Sequence, residues 1–128
     1  MAEGILEETT KRVATRLRDL RAATPQVQAA VLATRSGLPL AWDVEEAADA
    51  EALAALGADL LASAETAARG LTGGEPREAT VRGPDAHVIA LAAGGDAVLV
   101  ATTDALTPAS SVLPDLREAA EELAEVLG

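Results

Sequence analysis

The one histidine of the chain, His87, is the first candidate for chemistry, and it stands in a strand-like run of residues. A nucleophilic or zinc constellation needs a second histidine or a cysteine beside it. The sequence has no other histidine and no cysteine. We therefore expect His87 to have a solvated or structural role, and we expect neither enzymatic activity nor a cofactor.

A cluster of carboxylates precedes the longest helical pattern, and it could in principle bind a divalent cation. Its members are Asp43, Glu45, Glu46 and Asp49. Their spacing does not match a calcium-binding loop, and the glycine of such a loop is missing. We expect these carboxylates to be exposed to solvent at the N-terminus of the helix, because acidic side chains there are stabilised by the helix dipole. No metal site is predicted.

Three arginines could supply a positive charge to a phosphate site on a partner, as an arginine finger does. They are Arg69, Arg77 and Arg82. We expect these arginines to lie on the surface, where they increase solubility or make contacts in a dimer. The sequence has neither the GxxxxGK[ST] nor the GxGxxG pattern, so nucleotide binding by this chain itself is not expected.

Composition limits the classes of partner. The 128 residues carry a formal charge of −11 and 49% hydrophobic residues, which is consistent with a single folded domain spanning 1–128. Trp42 is the one aromatic residue, so base stacking is not available and the acidic charge would repel phosphate backbones. We expect no nucleic acid partner and no membrane insertion. With no secretory signal pattern, a cytoplasmic location is expected.

The first half of the chain begins with an amphipathic helix that Pro25 should end, because proline disfavours the helical conformation in the residue before it. Two strand-like runs follow, Val27–Thr34 and 38–42, and Gly37 between them suits a tight hairpin turn. Pro39 in the second run predicts that this strand lies at an edge of the sheet.

The segment 49–69 has the pattern of a long helix with two apolar strips. The first strip is expected to face the core and consists of Leu53, Leu56, Leu60, Ala64, Ala67 and Leu71. The second strip consists of Ala50, Ala54, Gly57, Ala58, Leu61 and Ala68. Together they make an apolar arc about twice as wide as a one-sided helix needs. A mid-helix glycine is unfavourable unless another backbone approaches closely. A second copy of the same helix is the expected cover.

Three further strand-like runs, Glu75–Arg82, Ala86–Ala92 and Ala97–Thr102, are separated by glycine-containing turns. The first of them is polar and alternating, which predicts a second sheet edge, available for pairing with another subunit. A closing helix follows. Its start is ambiguous, because Thr107-Pro108 and Leu113-Pro114 both resemble a cap followed by a first-turn proline.

The order helix–strand–strand–helix–strand–strand–strand–helix, with the hairpin at 31–41, resembles the roadblock/dynein light-chain family. The resemblance extends from about Ile5 to Leu127. It rests on the hydrophobic pattern, the glycine of the first hairpin and the strong strand pair at 86–102. It implies an α+β fold in which a five-stranded antiparallel sheet lies between the long middle helix and the two terminal helices.

The resemblance also implies partners. Members of the family dimerise through the middle helix and the following strand, and their prokaryotic members act on small Ras-like GTPases as activating proteins or scaffolds. Eukaryotic members serve dynein and Rag GTPase assemblies. The compact chain is most similar to the prokaryotic type. The alternatives are a passive scaffold in a motility or signalling complex and, less favoured, a small-ligand sensor.

Two surfaces are predicted from these considerations. The dimer interface is expected to use Ala50, Ala54, Gly57, Ala58, Leu61, Ala68, Arg77, Ala79 and Val81. A surface for the GTPase partner is expected on the side of the middle helix opposite its leucines, at Glu51, Ala55, Asp59, Ala62, Thr66 and Arg69. The family has no universal catalytic residue to assign to any position here.

Overall fold

The computed structural model describes residues 2–45, 49–71, 73–74 and 76–128, with side chains from residue 7 onward. The three helices are α1 (Ala2–Ala23), α2 (Ala50–Leu71) and α3 (Ala109–Leu127). The five strands are β1 (Val27–Thr34), β2 (Pro39–Val44), β3 (Glu78–Arg82), β4 (Ala86–Ala93) and β5 (Ala97–Asp104). They form one antiparallel sheet in the order β2-β1-β5-β4-β3. The predicted element order is confirmed.

The central strands are apolar on both faces because both faces are covered. Side chains alternate between the two faces of a strand. In β1, Leu32 packs into the cluster formed with α1 and α3, whereas Val31 packs into the cluster formed with α2. Leu99 and Val100 of β5 divide in the same way. The sheet therefore lies between α2 and the two terminal helices, as predicted.

The terminal helices pack side by side on one face of the sheet. Leu17 of α1 and Leu116 of α3 are fully buried there. Outside this apolar contact, the Arg16 Nε–H donates to Glu122 Oε2 at 2.6 Å. The Thr24 hydroxyl donates to Asp115 Oδ2 at 2.7 Å, just before the proline that follows α1. Polar bonds thus join α1 to α3 along their shared groove.

The two edges of the sheet are β2 and β3, and both were predicted to be edges. Pro39 is the first residue of β2, where the absence of an amide hydrogen disturbs the ladder least. Gly37 in the preceding turn has a φ of +93°, which glycine adopts without steric cost. β3 begins at Glu78, later than the predicted run, and Glu75 lies outside the described residues.

The start of α3 resolves the ambiguity left by the sequence. The helix begins at Ala109, directly after Pro108, and Pro114 lies inside it. The turn before it is held by Asp104, whose Oδ1 accepts hydrogen bonds from the Thr107 hydroxyl and amide and from the Leu106 amide. These bonds favour the charged carboxylate and lower the pKa of Asp104.

Candidate interaction surface

The middle helix covers the sheet with its small residues. The buried stripe of α2 consists of Ala54, Gly57, Ala58 and Leu61. A Cβ atom at Gly57 would lie 2.1 Å from Val100 Cγ2 in β5. The predicted close neighbour of Gly57, a helix from another copy, is therefore wrong, because the neighbour is a strand of the same chain. These four residues are buried in the monomer and are not free to contact a second subunit.

The leucines of α2 lie on a flank of the helix rather than against the sheet. Leu56 is 59% exposed and Leu71 is 85% exposed, while Leu53 and Leu60 are half-buried. The expectation that this strip faces the core is wrong for Leu56 and Leu71, and also for the exposed Ala67. The physical reason is the close approach at Gly57, which brings the helix backbone near the sheet and leaves room underneath only for small side chains.

The other flank of α2 is held against the β1–β2 hairpin. A Cβ atom at Gly37 would lie 3.2 Å from the Ala55 Cα. The Arg35 guanidinium donates from Nη1 to Glu65 Oε1 at 2.6 Å and from Nη2 to the Gly94 carbonyl at 3.4 Å. Ala55 lies on the side of α2 away from Leu56, about one-third of a turn from the buried stripe, whereas Glu65 lies one turn after Leu61, in line with that stripe. The leucine flank consequently faces the opposite edge of the sheet, which is β3.

The edge strand β3 continues the apolar surface below the leucine flank. Ala79 lies opposite Ala90 and Val81 opposite Val88 in the ladder. Ala90 and Val88 belong to the cluster under α2, so Ala79 and Val81 share that side of the sheet. Val81 is 49% exposed. We call this set the open face, and it consists of Leu53, Leu56, Leu60, Ala79 and Val81.

The opposite side of β3 is polar and is tied to α3. Glu78 accepts two hydrogen bonds from Arg117, one from Nε at 2.9 Å and one from Nη2 at 2.5 Å. The hydrogen bonds from Arg117 lower the pKa of Glu78, against a smaller effect of partial burial. Arg82 is exposed on the same side of the strand and has no ion-pair partner among the described residues.

The residues predicted to meet a GTPase are all exposed on α2, namely Glu51, Ala55, Asp59, Ala62, Thr66 and Arg69. They follow the flank of the helix on the side of the hairpin, where Ala55 lies beside Gly37. The Thr66 hydroxyl donates to the Ala62 carbonyl, and Arg69 Nη2 lies 3.5 Å from Thr66 Oγ1. This surface is separate from the open face, so one helix can present two surfaces at once.

The remaining residues of the predicted dimer interface are half-buried on α2 or exposed beside β3. Ala50 and Ala68 of α2 are half-buried. Arg77 is exposed just before β3, and its carbonyl accepts the Ala92 amide hydrogen at 2.8 Å. Arg77 also borders a cleft of about 650 Å³ that lies beside the Arg35–Glu65 pair. Sequence patterns did not indicate this ion pair, because its members are 30 residues apart in different elements.

The acidic cluster serves local structure. Asp43 and Glu45 lie 3.0 and 3.5 Å from the guanidinium of Arg21. Asp49 Oδ1 accepts the amide hydrogens of Glu51 and Ala52 and so caps α2. Glu46 lies outside the described residues. Within the described ranges, no three potential ligands come together in a way that could hold a metal ion.

His87 and Trp42 have opposite surroundings. His87 is 4% exposed on β4, and its Nδ1 finds no hydrogen-bond partner in the described part of the chain. Trp42 is 52% exposed on the edge strand β2. As for membranes, none of the helices that the structure describes has the length and the apolar run needed to traverse a bilayer.

Comparison with known proteins agrees with this geometry. Residues 13–103 match the model of the Roadblock/LC7 domain. A structure described as MglB with tetrameric arrangement superposes with a TM-score of 0.81 at 26% identity, covering 92% of this chain and 89% of that chain. The gliding protein MglB from Thermus thermophilus gives a TM-score of 0.80 at 25% identity, covering 92% of this chain and 90% of that chain.

A Roadblock/LC7 domain from Streptomyces avermitilis gives a TM-score of 0.81 at 19% identity, covering 89% of this chain and 96% of that chain, and at this identity it shows the fold alone. No curated protein matches the chain in sequence. The family match spans most of the chain, including α2, β1 to β4, all of β5 except Asp104, and the open face. The chain therefore belongs to the Roadblock/LC7 domain family.

Proposed function

We propose that this protein is a homodimeric regulator of a small Ras-like GTPase in the cytoplasm, acting without a catalytic site of its own. The observation that carries the proposal is the open face, an apolar helix flank beside an unpaired sheet edge. Leu56 and Val81 are both about half exposed there. A surface of this kind in a small acidic protein favours a protein partner, because contiguous exposed apolar groups mark interaction sites.

A second copy of the chain is the partner that best fits the open face. Burying the exposed part of Leu56 would contribute roughly 1–2 kcal/mol per copy. The same symmetric contact would close the free edge of β3, which otherwise leaves a row of backbone groups without partners in the sheet. The expected interface thus keeps Ala79 and Val81 and replaces the buried stripe of α2 by Leu53, Leu56 and Leu60.

The GTPase is expected on the exposed side of α2, which remains open in such a dimer. Asp59 and Arg69 are exposed there and offer both signs of charge. Family membership and the likeness to MglB structures support a GTPase partner. In this proposal the dimer accelerates hydrolysis by ordering catalytic groups of the GTPase itself.

The test uses a small Ras-like GTPase from the same organism, loaded with GTP. Its turnover is measured with and without the protein, and binding is measured with the double variant Asp59→Arg/Arg69→Glu. The matched control is Asp19→Arg/Arg12→Glu, which exchanges the same charges on the exposed side of α1. Faster turnover that is lost only in the α2 variant is the expected result.

Two other outcomes have defined meanings. Binding without faster turnover would favour a passive scaffold in a motility or signalling complex over an activating protein. Equal binding by the α2 variant and the α1 control would reject the α2 surface. Circular dichroism and light scattering of both variants establish that the fold and the mass of the assembly are unchanged.

A further inference from the structure

The edge strand β3 is complementary to itself in charge. Its sequence is Glu-Ala-Thr-Val-Arg, with an acid at the first position and a base at the last. Glu78, Thr80 and Arg82 lie on the side of α3, and Ala79 and Val81 lie on the side of α2. When two such strands run antiparallel, the acidic end of one meets the basic end of the other.

The pleat of the sheet restricts how two copies can pair. A two-fold axis perpendicular to the sheet keeps both α2 helices on one side, as a continuous apolar surface requires. Residues directly opposite each other in an antiparallel pair point to the same side of the sheet. The axis must therefore lie midway between the two strands at the level of a residue of β3, since an axis at a level between two residues would place an α2-side residue opposite an α3-side residue.

Only one central residue in β3 pairs opposite charges. With the axis at the level of Thr80, so that Thr80 lies opposite its own copy, Glu78 lies opposite the partner's Arg82, and Ala79 lies opposite the partner's Val81. All five residues of the strand are then paired. Moving the axis to Ala79 places Glu78 opposite the partner's Thr80, and moving it to Val81 places Arg82 opposite the partner's Thr80. Both alternatives lose the two symmetric charge pairs, each worth roughly 0.2–1 kcal/mol.

We propose that β3 pairs with β3 of a second copy in the register centred on Thr80, where the partner's Arg82 joins the Glu78–Arg117 pair. This inference rests on the proposed homodimer and specifies its register. Glu78 can accept the additional bond, because a carboxylate has about four acceptor positions and Arg117 uses two of them. On the other side, Ala79 and Val81 pair with the partner's Val81 and Ala79 below the α2 leucines.

Single cysteines test the register directly, since the chain has no cysteine of its own. The variants are Thr80→Cys, Ala79→Cys and Val81→Cys. In the proposed register only position 80 lies opposite itself, at a Cβ separation of about 4.5–5.5 Å, while positions 79 and 81 are diagonal to their own copies, about 7–8 Å apart with a somewhat shorter Cβ separation. Disulfide formation under mild oxidation should therefore be fastest at position 80.

The result that would overturn the register is faster cross-linking at position 79 or 81, or no cross-linking at any of them in a protein with dimer mass. Light scattering of the reduced variants separates this failure from failure of the proposed dimer, which would show the mass of a monomer. A dimer with the wrong cross-link contradicts the register alone.

Charge inversion provides an independent test of the triad formed by Glu78, Arg117 and the partner's Arg82. Arg82→Glu places two carboxylates together and should weaken dimerisation roughly tenfold. The triple variant Arg82→Glu/Glu78→Arg/Arg117→Glu inverts every charge and should restore the dimer. Arg12→Glu, an exposed residue of α1, makes the same change in net charge and should have little effect. Equal weakening by Arg82→Glu and Arg12→Glu, or no rescue by the triple variant, would contradict the proposed triad.

Discussion

Gly57 of α2 lies directly against Val100 of β5, so closely that a Cβ atom on the glycine would approach Val100 Cγ2 to 2.1 Å. This contact determines how the middle helix lies on the sheet. The backbone of α2 comes near the strands through small residues, and the leucines of the helix are displaced to its flank. The open face is a direct consequence of this packing.

Gly57→Ala should destabilise the monomer, because the new methyl group overlaps Val100. Overpacking of this kind costs about 1–3 kcal/mol. Urea unfolding monitored by circular dichroism measures the loss. Gly70→Ala in the same helix is the matched control, since a Cβ there meets no atom within 4 Å. That change should stabilise the helix by up to about 1 kcal/mol. A Gly57→Ala protein as stable as the wild type would show that Val100 can move aside.

The Arg35–Glu65 pair should hold α2 to the β1–β2 hairpin. Its side chains are 31% and 27% exposed, and Arg35 Nη1 lies 2.6 Å from Glu65 Oε1. Removing one partner leaves the other charge partly buried, so Arg35→Met should lower the free energy of unfolding by about 1–3 kcal/mol. A double-mutant cycle with Glu65→Gln measures the coupling of the two side chains. Additive losses in that cycle would mean that the pair contributes no coupling.

The Glu78–Arg117 pair should make stability depend on pH in the acidic range. Because Arg117 lowers the pKa of Glu78 below its ordinary value of 4.5 in the folded protein, the pair stabilises the fold above that value. The stabilisation is lost as the pH falls through the lowered pKa of the folded state. Unfolding midpoints in urea measured across this range should fall less steeply for Glu78→Gln than for the wild type.

Arg117→Gln is the second arm of the pH experiment. It removes the hydrogen bonds that lower the pKa of Glu78, so it should flatten the same part of the pH profile. Adding Glu78→Gln to that variant should change the profile little further. A wild-type profile that coincides with those of both variants would contradict a stabilising role for the pair.

Much of the fold follows from local patterns in the sequence. The ends of the elements in the first half are predicted correctly from Pro25, Gly37 and Pro39. Proline and glycine act directly on the backbone conformation at their own positions and at adjacent residues. The polar alternation of residues 77–82 predicts an edge strand, and β3 is an edge of the sheet. The start of α3 remained open because the Thr-Pro pair and the Leu-Pro pair carry the same local signal, and the hydrogen bonds of Asp104 favour the first of them.

The orientation of α2 could not be obtained in the same way. Its two apolar strips are adjacent, and periodicity alone gives the width of the arc but not which strip meets the sheet. Because leucines are more often buried in a core than alanines, the pattern predicts that Leu56 faces the core and that Gly57 faces a second copy. The contact between Gly57 and Val100 joins two elements that are distant in the sequence, and only the folded structure shows that the glycine lies against this strand.

The mass of the purified protein in solution tests the central claim most directly, measured by light scattering for the wild type, Leu56→Glu and Leu106→Glu. Leu106 is 93% exposed in the turn before α3 and serves as the matched control. We predict a dimer of 12.9 kDa chains for the wild type and for Leu106→Glu, and a folded monomer for Leu56→Glu. A wild-type monomer, or a Leu56→Glu protein that remains dimeric, would contradict the account.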